Sequence, residues 1–330
     1  MSLLHDLGLR RRTAHDRLAP LDYLVLSPLA LIATALYRLF LYLRGRPSLR
    51  PPAGQLPVRI VCISDTHDRT VQVPAGDVVV HAGDLTTNGA ASDIQAQLDW
   101  LKTLPHDVKI VVAGNHDRFF DPEARIADDV NSNACLDLDG LTYLQDDMSV
   151  QEIKGRRIVF FGSPHIPRRC SSSFAFQYPL TTPPWFSRVP PQTDVLVTHG
   201  PPVGPNVPKH HLDLGLGCPG LLREIWRVRP RLHVFGHVHS AYGTEAVYFD
   251  GLQATYERLL SRPAGPLADL IPSRKWLDLV QLVSQGVGSL ACKWLTAESG
   301  SNYQGGLLVN AAQMLETTNV IKSRAVVVDL

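Results

Sequence analysis

Short runs of β-branched and aliphatic residues recur through the middle of the chain, each bounded by Gly, Asp, Asn or Pro. Arg59 to Ile63 leads into Asp65 and His67, Val78 to Ala82 into Asp84, and Ile110 to Ala113 into Asn115, His116 and Asp117. Ile158 to Phe161 is followed by His165, Asp194 to Thr198 by His199, and Leu232 to Phe235 by His237 and His239. Runs of this length and composition predict buried β-strands. In open α/β sheets, ligands gather beyond the carboxyl ends of such strands. The oxygen and nitrogen donors that follow the runs are therefore expected to meet in one place, which predicts a metal-dependent hydrolase.

Two further segments have an apolar pattern of another kind. Tyr23 to Leu43 is apolar except for Ser27, Thr34 and Arg38. As one helix rising about 1.5 Å per residue it would extend roughly 30 Å, the thickness of a bilayer's hydrocarbon core. It is preceded by an Arg-rich arm and followed by a Pro- and Gly-containing stretch, Gly45 to Leu56, that reads as a linker. The expectation is a single N-terminal membrane anchor over residues 23–43, with a docking helix packed on the rest of the protein as the alternative. Arg residues on both flanks leave its orientation open. The second segment, Lys275 to Leu295, predicts a helix that packs one face on the core, with a lid or a second membrane contact as the alternatives.

Composition narrows the classes. The 330 residues are 45% hydrophobic, enough for a substantial core, and the net charge of +1 argues against a nucleic-acid-binding surface. Five scattered cysteines without Cys-x-x-Cys pairing argue against a disulfide framework or a cysteine zinc site. With no Asn-x-Ser/Thr acceptor in the chain, they favour a cytosolic catalytic region on the membrane-associated protein.

Phosphate esters resist hydrolysis because an anionic centre repels nucleophiles and the leaving oxygen is poor. A pair of divalent ions addresses both obstacles. Such a pair needs carboxylates with neutral donors around them, and the chain offers Asp65, Asp84, Asn115, His67, His199, His237 and His239. Mixed nitrogen and oxygen ligation without thiolate suits Mn, Fe or Zn.

The ordered blocks Asp65-x-His67, Gly83-Asp84, Gly114-Asn115-His116-Asp117, His199 and Gly236-His237-x-His239 resemble the calcineurin-like metallophosphoesterase superfamily. The likeness runs from about Arg59 to about Tyr242, with a last strand at Gly305–Asn310. The wording of Gly83-Asp84-Leu-Thr, Phe161-Gly-Ser-Pro and Thr198-His-Gly-Pro-Pro202 is similar to its metallophosphoesterase domain-containing, class III phosphodiesterase-like branch. The resemblance implies an α/β fold, a four-layer αββα sandwich, here with the N-terminal membrane-type helix added. It implies one ion held by Asp65, His67, Asp84 and His239, and another by Asp84, Asn115, His199 and His237. Asp84 would bridge them, a hydroxide held by the two ions would attack phosphorus, and His116 would serve as the catalytic group beside the leaving oxygen. The implied organisation is an arm, anchor and linker over 1–56 and a metallophosphoesterase domain over 57–330 with an insertion at about 243–302.

The chain departs from the wider family in places. Asp84 is followed by Leu-Thr-Thr rather than Arg-Gly, which disfavours a phosphoprotein substrate. Asp117 replaces the commoner Glu and reads as a supporting residue, and His165 stands where the closer branch has Trp. His81 reads as a hydrogen-bonded core residue; Arg168, Arg169, His210 and His211 read as exposed loop residues. The expected function is hydrolysis of a small phosphorylated substrate, a phosphodiester by the branch resemblance. A phosphomonoesterase with the same site and a catalytically silent, membrane-tethered binding protein are the alternatives.

Overall fold

The computed structural model describes residues 7, 9–10, 19–45, 47, 49, 51, 54–126, 129, 134–168, 174–203, 216–263, 265–295, 305–314 and 320–330. Arg169, His210 and His211 lie outside the described residues. The chain divides into two compact units, one of Leu49–Pro202, Leu216–Glu245 and Leu307–Leu330, the other of Met1–Ser48, Val203–Gly215 and Ala246–Gly306.

The strands in chain order are β1 (Arg59–Ile63), β2 (Val78–Ala82), β3 (Val108–Val112), β4 (Thr142–Tyr143), β5 (Asp147–Ile153), β6 (Arg156–Ser163), β7 (Ile166–Pro167), β8 (Gln177–Tyr178), β9 (Val195–Thr198), β10 (Leu232–Phe235), β11 (Gly243–Val247), β12 (Gly306–Asn310) and β13 (Val326–Asp329). The helices of eight residues or more are α2 (Pro28–Arg44), α3 (Ala91–Thr103), α4 (Pro219–Val228), α5 (Gly251–Ser261) and α7 (Arg274–Leu295), with the shorter α1 (Pro20–Leu26) and α6 (Pro266–Leu270).

The first unit is a mixed α/β sandwich. One sheet has the order β13-β1-β2-β3-β4, the other β11-β12-β10-β9-β6-β5. Within them β1 to β4 run parallel, as do β6, β9, β10 and β12, whereas β13 and β5 add antiparallel edges. Ile60, Val78, Val80 and Ile110 of the first sheet share a core with Phe160, Val197 and Val234 of the second. On the other face of the first sheet, Ile63, Val79 and Val111 pack against Ile94, Leu98 and Leu101 of α3. Central parallel strands are covered on both faces, which is why they read as unbroken apolar runs. In α3 the spacing of Ile94, Leu98 and Leu101 puts them on one helical face.

The second unit is helical. The membrane-spanning helix expected over residues 23–43 does not form: the segment breaks at Ser27 into α1 and the 17-residue α2. Ser27 is extended, with φ −168°, and its hydroxyl accepts from the Ala30 amide, while Pro28 opens α2. Ser followed by Pro is a helix start, so the break is local chemistry. Tyr23, Ala30, Ala33, Tyr37 and Phe40 then pack against Leu252, Tyr256 and Leu259 of α5 and Leu282 of α7, with the Tyr37 and Tyr256 rings stacked at 4.0 Å. Among the described residues no helix is long and apolar enough to cross a membrane.

Polar groups hold these helices in register. Asp269 on α6 accepts from the Ser27 hydroxyl (2.5 Å) and the Leu29 amide (3.1 Å), and pairs with the Lys275 ammonium (2.7 Å), all of it buried. Arg44, also buried, pairs with Asp250 at 2.7 Å and lies over the Tyr248 ring. Removing one partner of a buried pair leaves an uncompensated charge, at a cost of about 3–5 kcal/mol. Asp269→Ala is therefore expected to destabilise the helical unit by about 3–5 kcal/mol in denaturant unfolding, with Asp269→Asn losing less because it still accepts from Ser27 and Leu29.

Candidate metal centre

The predicted donors all lie just past the carboxyl ends of β1, β2, β3, β9 and β10, within the sandwich unit. The chain turns sharply there. Asp65, His67, Asp84 and His237 adopt φ of 54°, 44°, 52° and 65°, a region that side chains other than glycine seldom occupy. Strained backbone of this kind persists only where the surroundings impose it. Two glycines serve close approach: a Cβ at Gly114 or at Gly236 would run into the carboxylate of Asp84 or Asp65 respectively. Gly114 thus lets the β3 loop lie on Asp84, and Gly236 lets the β10 loop lie on Asp65.

The structure brings Asp65, His67, Asp84, Asn115, His116, His199, His237 and His239 together. Asp65 Oδ1 lies 3.2 Å from His239 Nε2, which is 3.4 Å from His67 Nε2. Asp84 Oδ2 lies 3.8 Å from His67 Nε2 and 3.3 Å from His199 Nε2. His199 Nε2 also sits 2.9 Å from Asn115 Oδ1, and the His199 and His237 rings are 5.0 Å apart. Ligand-capable atoms of Asp65, His67 and His239 form one cluster, those of Asp84, His199 and His237 another. The Asp84 carboxylate therefore lies between two sets of imidazoles.

Hydrogen bonds set the directions of these groups. The Ala82 carbonyl lies 3.0 Å from His199 Nδ1 and can only accept, so Nδ1 carries hydrogen and Nε2 faces the carboxylates. The His116 amide donates to Asp84 Oδ1 (2.8 Å), and His116 Nδ1 donates to the Thr87 carbonyl (2.7 Å). The His116 ring is 5.0 Å from that of His67 and also 5.0 Å from Phe174, at the edge of the cluster. The His237 amide donates to the Asp65 carboxylate at 3.1 Å.

Burial opposes ionisation of Asp65, yet the hydrogen bond and charge of His239, with His199 beyond it, outweigh burial and hold the carboxyl at about 2. Asp84 is held well below the usual carboxylate range in the same way, chiefly by His199 and His116. Burial would lower His199, but Asp84 and Asp65 raise it to about 9. Burial and the charge on His199 depress His237 to about 4, and burial lowers His67. Two ionised, buried carboxylates thus draw positive charge onto the imidazole between them. A divalent cation bound to the same donor atoms satisfies that demand, and the donor set of carboxylate, imidazole and amide oxygen fits Mn, Fe or Zn.

Other side chains support the donors. Asp117 does not reach the imidazoles; it accepts from the amides of Leu85, Thr86 and Gly114 and from the Thr86 hydroxyl, at 2.8–3.1 Å. It thereby ties the loop after Asp84 to the loop carrying Asn115. His81 accepts the Gly83 amide at Nδ1 and donates from Nε2 to the hydroxyl of Thr66, between Asp65 and His67. His233 makes the matching contact with Thr198, next to His199, at 2.8 Å. His233 was not singled out by sequence, because a histidine inside an apolar run has no pattern separating it from a core residue; only the Thr-His199 pair it faces gives a signal. His165 pairs with Asp146 at 2.7 Å, alongside Arg188 and Ser163. Arg168 is exposed, and its amide donates to Tyr178.

A family model described as Calcineurin-like phosphoesterase matches residues 58–241, which include every one of the donors. A fungal protein of Emericella nidulans named Probable rhamnogalacturonate lyase C is 36% identical over 295 residues, 88% of this chain and 26% of its own length. Human Metallophosphoesterase domain-containing protein 1 is 38% identical over 209 residues, 57% of this chain and 62% of its own length. A UPF0046 protein of Caenorhabditis elegans is 36% identical over 203 residues, 58% of this chain and 68% of its own length. The chain thus spans about a quarter of the fungal relative and under two thirds of the human one.

The supporting histidines have a measurable signature. Burial depresses both His81 and His233 to about 3, whereas in the unfolded chain each titrates near 6.5. Below about pH 6.5 the unfolded state binds protons that the folded state refuses. The stability contributed by each histidine is therefore complete above about 6.5 and lost progressively as pH falls towards about 3, by about 1.4 kcal/mol per pH unit. His233→Gln is expected to remove about one proton from the slope of unfolding free energy against pH in that window, measured by denaturant titration at several pH values.

Proposed function

We propose that this chain, which belongs to the calcineurin-like phosphoesterase family, is a metal-dependent phosphoesterase that hydrolyses phosphodiesters at a centre of two divalent ions. The observation that carries this reading is the position of Asp84 Oδ2, between His67 Nε2 at 3.8 Å and His199 Nε2 at 3.3 Å. Asp65, His67, Asp84 and His239 would hold one ion; Asp84, Asn115, His199 and His237 would hold the other. The ions supply Lewis acidity towards the phosphoryl oxygens and a nucleophilic water at neutral pH.

The chain's own residues do the rest. The Ala82 carbonyl keeps His199 in the tautomer that presents Nε2, and the amides of His116 and His237 hold the two carboxylates in place. His116, anchored at Nδ1 by the Thr87 carbonyl, presents Nε2 at the edge of the cluster. In its charged form it steadies the phosphoryl group and delivers the Nε2 proton to the leaving oxygen. The preference for diesters follows the wording of the motifs shared with the metallophosphoesterase domain-containing branch.

Two measurements test this reading. With added Mn, turnover of bis(p-nitrophenyl) phosphate is expected to exceed that of p-nitrophenyl phosphate; turnover of the monoester alone overturns the diester assignment. Asp84→Asn is expected to lose both bound metal by elemental analysis and turnover, by more than the roughly 10–100-fold typical of residues that only orient a ligand. Asp117→Ala, which loosens two loops without removing a donor, should fall within that range. Full turnover by Asp84→Asn would refute the shared-carboxylate centre.

A further inference from the structure

In most surface helices the apolar side turns inward and the charges face water. In the helical unit apolar side chains such as Tyr37, Phe40, Tyr256 and Leu282 fill the interior, but large apolar side chains also face outward while several charges are buried. Along α7, Lys275 and Asp278 are buried. Lys275 pairs with Asp269, Asp278 with Arg258 and Arg262, and Lys293 donates to the carbonyls of Leu43 and Arg44. The outward side carries Trp276, Leu277, Val280, Val283, Val287 and Trp294. Leu277 is 69% exposed, Val280 66% and Trp294 84%, and no charged residue interrupts that side between Trp276 and Leu295.

The neighbouring helices repeat the pattern. α2, packed beside α7, buries Thr34 and Arg44 and exposes Ile32, Leu39 and Tyr42, the last 83% exposed. α6 buries Asp269 and exposes Leu267 and Leu270. α2 touches both α7 and α6, and exposed apolar residues gathered on neighbouring helices mark interaction surfaces.

Arg38 and Arg274 are exposed on these helices and Arg258 is held by Asp278, whereas Asp269 and Asp278 are buried in pairs and Asp22 and Glu257 are half-buried. The surface is thus apolar and basic, with Trp276 and Trp294 near the two ends of α7. That is the chemistry of a helix lying in a bilayer interface, aromatic rings at headgroup depth and basic groups on anionic lipid. α7 has 22 residues, about 33 Å of helix, enough to lie in the plane without crossing.

We propose that the exposed face of α7, with α2 and α6, is an in-plane docking surface for an anionic lipid bilayer. The occupant is the bilayer surface itself, and the helices rest on it without spanning it.

The test is flotation of the full chain with vesicles of phosphatidylcholine alone or mixed with phosphatidylserine. Flotation is expected with the mixed vesicles and to weaken with added salt. Leu277→Glu with Val280→Glu, both on the exposed side, is expected to lower the floated fraction at least about tenfold while leaving thermal unfolding and phosphoesterase activity unchanged. Arg274→Glu is expected to weaken binding to the mixed vesicles selectively. Failure to float with mixed vesicles overturns the proposal, as does flotation that the paired Glu substitution leaves intact. So does a dimer in solution that the same substitutions disperse, which would make the face a contact between copies.

Discussion

Two carboxylates, Asp65 and Asp84, sit buried within a few ångströms of one another's imidazole partners, and the arrangement of the site follows from keeping both ionised. A buried anion without a partner is costly, and two of them in one volume repel. Asp117, equally buried, receives only N–H and O–H donors, and burial with the charge on Asp84 pushes it up to about 6. Asp65 and Asp84 receive imidazoles as well, and stay ionised. Neighbouring carboxylates therefore divide into two roles by what faces them. Asp117 fastens loops; the other two accumulate negative charge where cations are wanted.

Much of this was legible in the sequence. The central strands announced themselves because parallel strands covered on both faces need apolar side chains at nearly every position, as in Val78–Ala82 and Leu232–Phe235. The donors were legible because each follows a strand end, and a sheet of parallel strands gathers those ends on one side. Edge strands were harder to read. β5 is polar, with every residue but Ile153 exposed or half-buried, and β13 is too short for a pattern. The supporting role of His233 was hidden by its place inside an apolar run.

The N-terminal segment shows where hydropathy misleads. Counting apolar residues from Tyr23 to Leu43 records composition but not direction. It treats Ser27 as a tolerated polar residue, whereas Ser27 begins a helix and accepts from Ala30 while donating to Asp269 242 positions away. That partner is invisible locally. The same holds for Arg44, whose partner Asp250 is itself the cap of α5 through the Gln253 amide. Local capping at Ser27 and Pro28 breaks the segment, the long-range polar pairs hold its two helices against their neighbours, and a sliding window registers neither.

The two units apply one rule in opposite senses. In the sandwich, apolar side chains between the sheets provide the cohesion and the polar groups gather at one end, where strained backbone at Asp65, His67, Asp84 and His237 is supported by strands that cannot move independently. In the helical unit, buried pairs such as Lys275 with Asp269 specify which helix meets which, because a charge in the interior tolerates few alternative partners. Apolar contacts between helices are less selective: Tyr37 on Tyr256 or Phe40 beside Gly286 would accommodate small shifts in register that an ion pair would not. Burying these charges beside the apolar core leaves large apolar residues such as Leu277 and Val280 on the exterior. An outward-facing Leu277 or Val280 adds nothing to the packing of α7 against α2 and α5, and its chemistry is left to whatever medium lies outside.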